Sequence, residues 1–203
     1  MRDGIPAENT RDAILDATDR MLAKYGYRKM TIEDLAREVG IGKGSIYLHF
    51  KSKEEIALSH IDRIIARLKA RLASIAGKNL SVEDRLAEAL CERVLFRFDS
   101  VQHYTQGLND MLAHLRPKLL EHRQRHFDEE ARMLAELVKE GQTSGSLAKG
   151  DALDLARSLI TATNSLLPYS LSAYELGDRS DLAKRTRKVA KLLIRGLMAE
   201  PKS

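Results

Sequence analysis

The chain has 203 residues, 43% of them hydrophobic and 31% charged, which leaves room for one or two domains with a sizeable core and excludes a disordered tail. Its single cysteine, Cys91, excludes an intrachain disulfide framework and points to a reducing, cytoplasmic setting. No stretch approaches the roughly 18 consecutive apolar residues of a membrane span, the start Met1-Arg2-Asp3-Gly4 lacks the apolar run of a signal peptide, and the net charge of +5 is a mild lean toward polyanions.

Helical periodicity dominates from end to end, with no alternating strand. Ile14, Thr18, Met21, Leu22 and Tyr25 form one face of a first helix, begun near Thr10 and stopped at Gly26. A short second helix, Ile32 to Val39, opens on Thr31-x-x-Asp34, with Met30 and Leu35 placed as a hydrophobic staple. Gly40-Ile41-Gly42 breaks the chain, and Lys43 to Phe50 forms a third helix. Ser52-x-x-Glu55 is a capping box for a long fourth helix to about Ala76, with an apolar face of Ile56, Ile61, Ile64, Ile65, Leu68 and Leu72. Ser81-x-x-Asp84 caps a fifth helix to about Phe98, and a sixth spans Gln102 to Leu115. Pro117, suited to a first helical turn, opens a seventh that ends near residues 141–145. After a loop at 141–150, an eighth helix runs from Asp151 to about Tyr174 and a ninth from Ser180 to Leu197. The expected fold is all-α, about nine helices: a three-helix domain over residues 1–53, and a larger bundle over 54–203 to which helix four, 53–76, makes the link.

Charge is unevenly spread along this frame. Residues 40–53 hold Lys43, Lys51 and Lys53 and no acid, residues 81–178 carry a net −5, and residues 179–203 a net +6. The last cluster is read as the solvated flank of a helix. The first coincides with a helix, a glycine turn and a second short helix, which is the helix-turn-helix layout. Such a second helix fits the major groove, about 12 Å wide, with its N-terminal residues facing base edges. Gly42 and Gly44 let the backbone approach, Lys43 brings charge, and Tyr47 and His49 offer donors to phosphate. Ile46 and Phe50 hold the helix on its bundle. Lys51 and Lys53 lie where a phosphate strand passes, and base contacts fall to Lys43, Gly44, Ser45 and Leu48.

These residues, Thr31-Ile32-Glu33-Asp34-Leu35-Ala36 and Gly40 through Glu55 within residues 10–56, resemble the DNA-binding domain of the TetR family of bacterial repressors. The resemblance covers about a quarter of the chain and implies a three-helix DNA-binding domain, a helical ligand-binding and dimerisation domain, and effector-induced release from a palindromic operator. It also implies that Thr31, Lys43, Gly44, Ser45, Tyr47, His49 and Lys53 are DNA-contacting positions. Two residues depart from the family pattern. Gly42 stands where Ser or Thr is frequent, removing a hydroxyl cap, and Leu48 stands where a second polar aromatic is common.

The glycines at 40, 42 and 44 do not make a nucleotide loop, because they follow a helix and Gly44 stands where a phosphate loop needs Ser or Thr after Lys43. An apolar effector site is expected from Phe96, Tyr104, Leu108, Met111, Met133, Leu137 and Tyr169. Helix eight, apolar on more than one face, and helix nine, with a stripe of Leu182, Val189, Leu193 and Leu197, are expected to pair with their copies in a twofold interface that also takes Leu155, Leu159 and Leu166. The partners are thus double-stranded DNA, a small-molecule effector and a second copy of the chain, with no cofactor and no enzymatic activity. Cys91, among Leu90, Val94 and Leu95, reads as a buried inert thiol. The competing reading is a helical metal-binding protein or enzyme centred on His122 and His126, four residues apart on one helix, although the sequence places no third ligand and a solvated helix face is the plainer account.

Overall fold

The computed structural model describes residues 7–102, 107–167 and 177–199. Over these the chain forms eight helices: α1 (Ala7–Lys29), α2 (Ile32–Val39), α3 (Lys43–His49), α4 (Lys53–Ala76), α5 (Val82–Gln102), α6 (Gly107–Ser144), α7 (Ala152–Asn164) and α8 (Arg179–Arg195). There is no strand among the described residues, only an isolated antiparallel bridge between Leu147 and Met198. None of the helices is long and apolar enough to cross a membrane.

The local signals for helix ends act as their chemistry requires. Thr31 Oγ1 accepts from the Asp34 amide at 3.1 Å, Ser52 Oγ from Glu55 at 3.1 Å and Ser81 Oγ from Asp84 at 3.1 Å. At Ser52 the Glu55 carboxylate also reaches back, accepting at 2.7 Å from the amide of Lys51, the residue just before the cap. Asp151 and Asp178 cap α7 and α8 in the same way. Each such cap is worth about 1 kcal/mol to its helix. Gly26 carries φ 74° and breaks the regular helix inside α1, where the sequence places a stop.

Two boundaries differ from expectation. The sixth and seventh predicted helices are one, α6, and Pro117 lies inside it rather than at its start. A proline inside a helix costs about 3 kcal/mol in lost hydrogen bonding and steric clash. Leu115 and Leu119, two residues to either side, both pack into the core of the first unit, and that packing holds the helical path on both sides of the ring. The eighth predicted helix stops at Asn164, with Ser165 as its C-cap; its proposed extension to Tyr174 falls outside the described residues beyond Leu167.

The chain divides into two compact units, Met1–Ile65 with His103–His122, and Ala66–Gln102 with Arg123–Ser203. The first is built on α1, α2, α3 and the start of α4 around Ile14, Leu15, Met30, Leu35, Ile46, Phe50 and Ile56. In the second, α5 lies along α8 and α7 packs against both. Gly141 is required where α6 meets the following loop: a Cβ there would sit 2.5 Å from Leu147 Cδ1.

Candidate DNA-reading face and effector domain

The reading head rests on a left-handed turn. Gly40 closes α2 at φ 76°, and its amide bonds back to Ala36 and Arg37 carbonyls; a β-carbon is strained at that φ, so glycine is the natural residue there. Gly42 then serves as N-cap of α3 in an extended conformation with no side-chain cap, as its lack of a hydroxyl dictates. Ile46 and Phe50 are both buried, each contributing about 1.5–3 kcal/mol by leaving water. They anchor α3 by one side only.

The opposite side carries the expected contact residues. Lys43 and Gly44 are exposed, Tyr47 is 49% exposed and Leu48 85%. Ser45 and His49 are partly covered, and Thr31 is exposed at the start of α2. Leu48 is the most exposed of the large apolar side chains among the described residues, a position that folding does not explain. Lys43 is not a free charge: Nζ donates to Glu33 Oε1 across the turn. That hydrogen bond raises the lysine above its ordinary value and lowers the glutamate below its own.

Lys53 is placed differently from Lys43. Its ammonium lies 4.4 Å from the Tyr27 ring centroid and donates to the Arg28 carbonyl at 3.4 Å. Burial lowers its affinity for the proton. The sequence shows only a lysine in the first turn of α4; its packing onto α1 is a tertiary fact.

In the second unit, Phe96 and Leu137 are buried, and Met133 is half-buried. The Arg71 guanidinium lies 4.9 Å from the Phe96 ring centroid. Leu108 and Met111 fall on α6, while Tyr104 and Tyr169 lie outside the described residues. The expected dimer stripe needs a correction. Leu159 and Leu182 are buried within the chain itself, Leu182 beside Val94 and Phe98 of α5, which leaves neither of them a face for a partner. Leu155, Leu166, Val189, Leu193 and Leu197 are only half-buried, and Leu192, which the stripe omitted, is 58% exposed.

The histidines of the competing reading both lie beside carboxylates. His122 Nδ1 is 3.0 Å from Asp62 Oδ1 in the first unit, and His126 Nδ1 is 3.6 Å from Glu129 Oε2 in the second. Cys91 is partly buried, and burial pushes its thiol up, away from the reactive thiolate.

Sequence reading did not single out a buried ionic cluster in the second unit. Arg93 of α5 and Glu130 of α6 are both fully buried, with Nε 2.6 Å from Oε2. Arg97, one turn along, gives Nη2 to the other oxygen of the same carboxylate at 2.5 Å. Arg93 also reaches Thr163 Oγ1 at 3.4 Å and Asn164 Oδ1 at 3.5 Å. Burial alone would raise the Glu130 carboxyl, but the two guanidiniums outweigh it and hold it below the ordinary glutamate range. The only sign in the sequence was a pair of arginines four apart on an otherwise apolar face.

Comparison with known proteins agrees with this geometry. Residues 14–59 match the family model described as bacterial regulatory proteins, tetR family. Over 188 residues the chain is 25% identical to the fatty acid metabolism regulator protein of Bacillus subtilis (strain 168), covering 91% of the chain and 93% of that protein. It is 39% identical over 72 residues to the HTH-type transcriptional regulator YerO of the same organism, which is 34% of the chain and 25% of the relative. The fold matches a TetR transcription regulator from Haloarcula marismortui ATCC 43049 with a TM-score of 0.74 at 19% identity, covering 94% of the chain and 99% of that structure.

Proposed function

The chain belongs to the TetR family of bacterial regulatory proteins and is a DNA-binding transcriptional regulator rather than an enzyme; from that premise we propose that it is a homodimeric repressor, released from a palindromic operator by a small-molecule effector held in its second unit. The observation that carries the reading is the two-sided α3: anchored by Ile46 and Phe50, it turns Lys43, Tyr47 and Leu48 outward with nothing of their own fold to cover the leucine. Two such helices in a twofold dimer enter successive major grooves roughly 34–36 Å apart.

Lys43 exchanges Glu33 for DNA on binding, so its contact carries the small cost of opening a solvent-screened surface ion pair. Lys43→Ala is expected to weaken specific binding by about 1–3 kcal/mol per contact, whereas Lys53→Ala is expected to weaken all sequences alike and lower the salt slope by about one. A titration against DNA from upstream of its own gene, repeated at several salt concentrations, reads both. Unchanged affinity in both variants would remove these lysines from the contact set.

The dimer is assigned to the half-buried and exposed apolar residues on and just after α7 and α8, Leu155, Leu166, Val189, Leu192, Leu193 and Leu197. Exposed apolar surface concentrated on neighbouring helices favours burial against a second copy. Light scattering at micromolar concentration is expected to return twice the chain mass, and a monomer there would refute the assignment.

A further inference from the structure

We propose that Asp62 of α4 with His122 and His126 of α6 binds one divalent transition-metal ion of the zinc type. The site goes beyond the repressor reading and does not depend on it.

His122 and His126 stand four residues apart on one continuous helix. That spacing sets β-carbons about 5–6 Å apart on the same face and lets two imidazoles reach one ion. The residues between them, Arg123, Gln124 and Arg125, are all exposed, whereas His122 is half-buried and His126 is buried. Both rings therefore lie on the covered side of α6. A solvated helix face, the plainer account of this pair in the sequence, is not where the structure puts them.

The third ligand, which no local pattern could supply, comes from α4. Asp62 is 60 positions from His122 in the chain, and its Oδ1 lies 3.0 Å from His122 Nδ1 within the first unit. One ligand atom from each of Asp62, His122 and His126 falls within 4.8 Å of the other two. Ligands on a tetrahedral zinc, with bonds of about 2.0–2.1 Å, stand about 3.3–3.4 Å apart. Small side-chain rotations are enough to close the three onto an ion.

The donor set selects the kind of ion. Two imidazoles and a carboxylate suit zinc and its neighbours in the first transition row, while magnesium and calcium take oxygen ligands. A carboxylate beside a ligating imidazole orients the ring and raises its basicity. Glu129 Oε2 stands in that place, 3.6 Å from His126 Nδ1, and is itself held by Lys69 at 2.6 Å. The cation next to Asp62 on α4, Arg63, turns to Asp16 of α1 at 2.7 Å. Three protein ligands leave a fourth position for water or for a donor atom of a small molecule.

The test uses the full chain, stripped with EDTA and then titrated with zinc chloride by calorimetry. One zinc per chain is expected to bind, and zinc is expected to raise the melting temperature by several degrees where magnesium at the same concentration does not. Asp62→Asn keeps the side-chain size and an oxygen facing His122, and its zinc affinity is expected to fall at least about tenfold. His126→Gln is expected to lose at least as much. Melts in EDTA confirm that each variant is folded, and affinities are compared below the lower melting temperature. Cobalt gives a reading that needs no variant, because its visible absorption bands move away from those of the aqueous ion when imidazole and carboxylate bind it. Wild type without bound zinc, magnesium stabilising as well as zinc, or cobalt bands left as in water would each overturn the site. Zinc affinity unchanged in Asp62→Asn would overturn it too, leaving only chelation by a histidine pair.

Discussion

Replacing Glu130 by alanine is expected to destabilise the second unit by about 3–5 kcal/mol, because it leaves two guanidiniums without their common carboxylate and one of them with no access to water. The loss is a large share of the roughly 5–15 kcal/mol by which folded proteins are stable. At this chain length each kcal/mol lowers the melting temperature by about 2–4 °C. Glu130→Gln, which keeps the shape and one acceptor oxygen, is expected to lose less. Replacing Arg93, Arg97 and Glu130 together by apolar residues of similar volume is expected to be near neutral, since the desolvation cost of the ions disappears with their attraction. Thermal or urea melts of the variants decide the matter, and a Glu130→Ala protein within about 1 kcal/mol of wild type would show that water reaches the cluster.

The same carboxylate gives the stability a definite pH dependence. The arginines depress the Glu130 carboxyl in the folded chain below its value in the unfolded one, about 4.3. The unfolded state then binds the proton first, so the contribution of Glu130 is complete above that unfolded value and drains away as pH falls through the folded one. Wild type is expected to lose stability more steeply than Glu130→Gln on acidification below about pH 4.5.

The second large effect is expected at Leu48, and on DNA binding alone. Leu48→Glu sets a carboxylate on the outward side of α3, which in the proposed dimer faces a phosphate-lined groove in each half. At about 1–3 kcal/mol per half-site, with every 1.4 kcal/mol a factor of ten, operator affinity is expected to fall by roughly thirtyfold to twenty-thousandfold. Stability is expected to move by no more than about 0.5 kcal/mol, because an 85% exposed side chain contributes little packing. Leu48→Ala separates the roles further: a selective loss at one thymine-containing position would identify a methyl contact, and a variant with wild-type affinity would place Leu48 off the groove. The pairing of large binding loss with unchanged melting distinguishes this face from Ile46 and Phe50, whose replacement would unfold the domain they anchor.

The helix-turn-helix was legible in the residue order because every signal that builds it acts over a few residues. Thr31 and Ser52 cap through amides three positions on, Gly40 takes its left-handed turn at once after α2, and the period of Ile46 and Phe50 puts both on one side of a helix. The stripe that sequence assigned to the dimer shows where this reach ends. Periodicity marked Leu159 and Leu182 as apolar, yet whether an apolar face turns to a partner or to its own core depends on the neighbours that the fold supplies. The same applies to Pro117, whose local meaning was a helix start until Leu115 and Leu119 found a core on either side of it. The ion pairs are the extreme case: Arg93 meets a carboxylate 37 residues away, and Arg97 the same one across 33. Local chemistry therefore determined that this chain presents a lysine-bearing helix after a glycine turn. Only the tertiary structure decided that Lys43 is held by Glu33, that Lys53 lies on Tyr27, and that two arginines share one buried acid. Such contacts join residues through the packing of whole helices, and no short-range pattern encodes them.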